Sequence, residues 1–219
     1  MKKYNTTITG ETPLLMHNDN LAWAEVMNKW RLDPATKKTS VAGDDRSPAW
    51  RWIGNLYVEG GKIVVPSDNL MTVLREGGKK VPTGKGQESF GRHTQSGIIV
   101  DQSAWKVVVN GQDIPYAPIK DLIEEPDFTT HLTTTEKLGF ELFVKRAKIG
   151  AVKHVRVRPR FDSWTINGTL TVLDETITTE ILKNILLMAG AYCGLGDWRP
   201  SSPKSAGPFG KFTSNIQEI

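Results

Sequence analysis

One cysteine in 219 residues, Cys193, excludes an internal disulfide and a cysteine-built zinc site. No apolar run reaches the ~20 residues of a membrane-spanning helix. The first residues, Met1-Lys-Lys-Tyr-Asn-Thr-Thr, lack the apolar core of a signal peptide. The expected setting is a reducing cytoplasm, with no membrane partner. Catalytic signatures are equally sparse. The four histidines, His17, His93, His131 and His154, are dispersed without metal-ligand spacing such as HExxH, and no GxSxG elbow is present. Between Gly78 and Gly84-Lys85 lie five residues where a P-loop has four, and Gly86 stands where Mg²⁺ would need Ser or Thr. NTP hydrolysis is excluded, and no metal or cofactor is expected.

What the chain does have is clustered positive charge. The formal net charge is only +4, but Leu142 to Phe161 holds seven Lys/Arg residues, His154 and no carboxylate. Within it, Val152-Lys-His-Val-Arg-Val-Arg-Pro-Arg-Phe161 alternates as a strand does. Val155, Val157, Pro159 and Phe161 fall on one face; His154, Arg156, Arg158 and Arg160 fall on the other. Arginines at a period of two stand roughly 6–7 Å apart, a spacing comparable to phosphates along a nucleic-acid strand. Lys153 flanks the stripe. Trp164 to Leu173, read as the strand joined to it at Asp162-Ser163, offers threonines and Asn167 but no acid to neutralise it. Asp44 and Asp45 fall in Asp33 to Pro48, which reads as a flexible, solvated loop.

Two further segments carry cations. Gly77 to Gly97 is glycine-rich and holds Lys79, Lys80, Lys85 and Arg92 against one acid, Glu88. It is expected to be a mobile basic loop closing on a nucleic-acid backbone. The segment Gly194-Leu-Gly-Asp-Trp-Arg-Pro-Ser-Ser-Pro-Lys-Ser-Ala-Gly-Pro-Phe-Gly-Lys-Phe212 brings Trp198, Arg199, Lys204, Phe209 and Lys211 between glycine pairs. Glycines there leave room for another backbone to approach, and Trp198 or Phe209 would stack on bases.

Lys3–Thr9, Lys62–Val65, Ile98–Val100, Trp105–Val109, Val152–Phe161, Trp164–Leu173 and Lys211–Ile216 read as strands. Ser67, placed to cap, begins a helix ending at Gly77-Gly78, and Thr178–Cys193 has an apolar helical stripe. The pattern predicts an α+β fold: a ferredoxin-like or RRM-like antiparallel sheet with helices on one face. It predicts one domain, 1–219, interrupted by long loop or thumb insertions at 14–60 and 112–141. The first insertion is rich in tryptophan (Trp23, Trp30, Trp50, Trp52), a composition that suits docking onto a neighbouring copy.

Three segments together resemble the RAMP superfamily of CRISPR proteins, more narrowly its Cas7-like backbone group and related phage-encoded proteins. Val64-Val-Pro-Ser-Asp-Asn-Leu-Met-Thr-Val-Leu-Arg75 is similar to the family's strand–Pro–Ser–helix segment ending in arginine. Gly194-Leu-Gly with Gly207-Pro-Phe-Gly-Lys-Phe212 resembles its glycine-rich loop. Thr9-Gly10-Glu-Thr-Pro-Leu-Leu-Met-His17 is similar to the loop after its first strand. Pro208 stands where the family's final glycine motif carries arginine, which points to a phage-encoded relative in an infected bacterial cell. The resemblance implies an RRM-like palm, a protruding thumb, and subunits stacked head to tail along one strand. The cation clusters themselves read as a non-catalytic binder of single-stranded RNA or DNA, assembled as a filament or ring. Some relatives cut RNA with an aspartate after the first strand, where Asp19 lies here. The alternative is a metal-independent endoribonuclease using His17 as general base.

Overall fold

The structure is a computed structural model that describes residues 1–41, 43–149, 152–203 and 205–219; for 147–149 and 152–153 it describes the backbone alone. In chain order the strands are β1 (Lys2–Gly10), β2 (Leu14–Leu15), β3 (Val58–Glu59), β4 (Lys62–Pro66), β5 (Ile98–Val100), β6 (Ala104–Val109), β7 (Gln112–Asp113), β8 (Glu141–Ile149), β9 (Val152–Phe161), β10 (Thr165–Val172) and β11 (Phe212–Glu218). The α-helices are α1 (Leu21–Leu32), α2 (Ser67–Gly78), α3 (Gly91–Gly97), α4 (Ala117–Lys120), α5 (Phe128–Lys137) and α6 (Thr179–Met188). The fold is α+β with antiparallel sheet. The chain divides into two compact units: Met1–Leu15, Val64–Asp113 and Asp162–Ile219 make the first, Met16–Ile63 and Ile114–Phe161 the second.

In the first unit β1 pairs with β10 on one side and β11 on the other. Tyr4, Thr6 and Ile8 are buried and Lys3 and Asn5 exposed, as strand alternation requires, with Thr7 half-buried. β5 and β6, whose sequences look like a pair of strands, do not pair with each other. Both lie along β10, through Ile98–Val100 opposite Val172–Leu170 and Val107–Val108 opposite Ile166–Thr165. The reason is the break between them: Gln102 Oε1 accepts from Thr169 N (2.9 Å) and from Trp105 Nε1 (3.1 Å), so the two short strands continue one edge. Gly168 lets the Trp105 indole cross β10, since a Cβ there would collide with the ring. Ser67 is the first residue of α2 and not its cap; Pro66 stands at the cap, and Ser67 N–H donates to Ser103 O. Thr178 does cap α6, accepting from Ile181 N. Gly77 lets α2 approach Ile185 of α6 and Ala189, in the turn of π-helix just after it, closely.

In the second unit β9 pairs along its whole length with β8, from Glu141↔Arg160 to Ile149↔Val152. This overturns the expected β9–β10 hairpin: Phe161 and Trp164, three residues apart, are each buried in a different unit. The core holds Trp52, Phe140, Phe161 and Val157, with Phe140 stacked on Phe161 at 4.9 Å. His131 is fully buried there: Nδ1 accepts from Trp52 Nε1 at 3.2 Å and Nε2 donates to Glu125 O at 2.9 Å, which settles its tautomer. Two of the four tryptophans pack fully inward, against the expectation of an exposed docking surface. Trp50 and Trp52 are buried, and Trp23 and Trp30, half-buried on α1, set their rings edge-on to Trp50 at 5.5 and 6.4 Å. Apolar side chains left exposed on α1 are Leu21, Val26 and Leu32.

Candidate nucleic-acid interface

Along β9 the predicted alternation holds from Arg156 onward: Val157, Pro159 and Phe161 are buried, while Arg156, Arg158 and Arg160 keep partial exposure; before it, Val155 and His154 are both half-buried. The stripe is not bare. Arg156 Nη1 donates to Asp45 Oδ1 and Arg158 Nη1 to Asp45 Oδ2, both at 3.1 Å; Arg51 Nε lies 3.5 Å from Oδ1. The Asp45 side chain is only 5% exposed. Its backbone explains its place. Asp45 N–H donates to Val155 O and Val155 N–H to Gly43 O, so this short stretch lies alongside β9. The reading of Asp45 as a solvated loop acid is therefore corrected, as is the absence of an acid near the arginines. Arg158 is also more enclosed than expected, with 12% of its side chain exposed against 32% for Arg156.

Around this group opens a cleft of about 440 Å³, a size that suits a small ligand or a single nucleotide. It lies wholly in the second unit. Four arginines line it, Arg31, Arg51, Arg156 and Arg158, against two aspartates, Asp19 and Asp45. The lining therefore carries an excess of positive charge. Trp23, Trp30 and Met27 of α1 add apolar surface; His17, Asn18, Asn20, Asn28 and Asn55 add hydrogen-bonding groups. Cations beside half-buried aromatic rings are what phosphate and base together require. Arg160 falls outside the cleft: its Nη1 is 4.0 Å from Glu141 Oε2, and its guanidinium lies 5.9 Å from the Phe143 ring centre. His154 packs against Gly43, with Nδ1 buried and without a hydrogen-bond partner among the described residues. The Lys153 side chain lies outside the described residues.

The other predicted residues belong to the first unit. Gly77 to Gly97 is not the expected open loop, because its ends are helix: α2 runs through Gly78 and α3 takes up Gly91–Gly97. Lys79 Nζ is bonded to Glu76 at 2.7 Å, which holds that carboxyl below its usual range. Lys80 lies 5.7 Å from the Tyr192 ring. Lys85 and Arg92 are exposed. Arg75 and Arg92 line a separate hollow of about 430 Å³, and the buried Arg75 Nε has no hydrogen-bond partner among the described residues.

The C-terminal glycine loop is occupied by its own chain. Leu195 N–H donates to Gly210 O, Gly210 N–H to Pro13 O, Asp197 N–H to Leu15 O and Gly207 N–H to Arg199 O. Gly210 adopts φ 72°, and a Cβ there would collide with the Leu195 carbonyl. The backbone that these glycines admit is thus the protein's own. Phe209 is buried against Trp198, their rings 5.4 Å apart. Arg199 donates to Gly196 O (3.0 Å) and Ser201 Oγ (3.1 Å). Lys211 N–H donates to Thr12 Oγ1 at 2.9 Å. Lys204 lies outside the described residues.

One contact in the first unit predicts a pH dependence. His93 Nδ1 lies 2.7 Å from Asp174 Oδ2, and Nε2 is 3.7 Å from Glu88. The Asp174 hydrogen bond raises His93 above its ordinary 6.5, and the Thr176 hydroxyl leads in holding Asp174 below 3.8. The His93 contribution is complete below 6.5 and is lost as pH rises through its folded value; that of Asp174 is present above 3.8 and is lost on acidification. Urea midpoints should therefore fall from about pH 6 to about pH 8, and His93→Gln should flatten that fall. An unchanged slope would refute the pairing.

Among the described residues no cluster of His, Cys, Asp or Glu could hold a metal ion, and no helix is long and apolar enough to cross a membrane. No protein-family model matches the chain, and none of the curated proteins is detectably similar to it.

Proposed function

We propose that this protein binds single-stranded RNA or DNA without cutting it, coating the strand as a head-to-tail oligomer of the RAMP, Cas7-like kind. The observation that carries the reading is the cleft of the second unit, where Arg51, Arg156 and Arg158 converge beside Trp23 and Trp30. Arginine forks bind phosphate oxygens bidentately, and indoles stack on any base. The sheet lends support. Strands β1, β5, β10 and β11 lie in the antiparallel order β11-β1-β10-β5, with α2 and α3 ahead of β5 and α6 between β10 and β11. That is the strand order of a ferredoxin-like palm. The exposed Leu21 and Leu32 of α1 offer apolar surface for a neighbouring copy. Light scattering at micromolar protein tests assembly: particles should grow when a long single strand is added, and a monomer under both conditions would refute the filament.

A second reading is favoured by one observation. His17 lines the same cleft, with Nε2 3.7 Å from Asp19 Oδ1. An imidazole beside bound RNA could take the proton from a 2′-hydroxyl. Incubation with labelled RNA separates the two. Binding alone yields intact strands; cleavage abolished by His17→Ala would establish the endoribonuclease.

A further inference from the structure

We propose that the cleft holds one unstacked nucleotide and prefers guanine, an inference that rests on reading the cleft as the nucleic-acid site. Asn18 Nδ2 donates to Leu56 O and Asn55 Nδ2 to Val157 O, each at 3.1 Å. A backbone carbonyl only accepts, so these bonds fix the orientation of both amides: the amino end faces the protein and Oδ1 remains as an acceptor. The two residues are neighbours, since Asn18 N–H donates to Asn55 O at 3.1 Å, and both line the cleft. Two residues that line the cleft with Arg156 and Arg158 thus each keep an amide oxygen as an acceptor. Asn20 and Asn28 have the opposite sense. Their Oδ1 atoms accept from Trp23 N and Arg31 Nη2, which leaves their amino ends as donors.

Among the four bases, guanine places two donors side by side on its pairing edge, N1–H and N2–H₂, next to the acceptor O6. Adenine and cytosine set one amino group beside a ring acceptor. Uracil and thymine set one N–H between two carbonyls. Paired acceptors flanked by cationic donors match guanine, and the ring surface of Trp23 and Trp30 suits its larger stacking face.

The test uses the wild-type protein and fluorescent oligomers of roughly 12 nucleotides, long enough to span one site. Each is a pyrimidine tract carrying isolated guanines, adenines or inosines, made as RNA and as DNA. The guanine oligomer should bind at least about fivefold tighter than the adenine one, and inosine, which lacks the N2 amino group, should lose most of that advantage. Asn18→Ala and Asn55→Ala should bring the three affinities together, and a guanine preference that survives both would overturn the role given to these amides. Equal wild-type affinity for all three oligomers would overturn the guanine preference and leave the nucleic-acid reading intact. Absence of binding to any of them would overturn both.

Discussion

Replacing Asp45 by alanine is expected to cost about 3 kcal/mol of stability, because removal of one partner strands the remaining charges in a poorly hydrated place. Its carboxylate is shared by Arg156 and Arg158 at 3.1 Å each and approached by Arg51 at 3.5 Å. Partial exposure of Arg156 lets water recover some of the loss, so the value sits at the low end for a buried pair. Urea unfolding of Asp45→Ala beside Arg46→Ala provides the comparison. Arg46 pairs with Asp44 at the surface, and its removal should cost far less than that of Asp45. Equal stability of the two variants would show that Asp45 does not anchor the cluster.

Loss of nucleic-acid affinity should be the largest functional effect. Arg156→Gln with Arg158→Gln is expected to weaken binding to a single strand by at least about tenfold, because each fork ends a charge-assisted contact to phosphate. Glutamine is the right replacement. Glutamate at 158, where only 12% of the side chain is exposed, would force a second carboxylate against Asp45 and unfold the site. Arg160→Gln is the control: its side chain lies beside Glu141 and Phe143, outside the cleft, so affinity should change less than about threefold. A double variant that binds as well as wild type would remove the arginines from the interface.

Much of the local structure was legible in the sequence because local patterns carry it. The period-two alternation predicts the burial of Val157, Pro159 and Phe161 in β9, and the apolar stripe after Thr178 predicts α6. The candidate site was half legible. Arg156 and Arg158 stand out by spacing, but their partner Asp45 is more than a hundred residues away in sequence. No pattern within Asp33 to Pro48 shows that it lies along a strand. The pairing of β9 was missed for a related reason. Asp162-Ser163 looks like a hairpin turn, and only tertiary packing sends the chain on either side of it to separate cores. The glycines of the last loop were correctly read as sites of close backbone approach, but the approaching backbone is the protein's own.

The most direct measurement is a titration of a labelled single strand with wild-type protein over a series of salt concentrations. If Arg51, Arg156 and Arg158 meet phosphates, log affinity should fall with log salt by about 0.7 for each phosphate neutralised, a slope near −2 for three contacts. The slope should shrink by more than half in Arg156→Gln with Arg158→Gln. Binding that is absent, or that does not change with salt, would contradict the account.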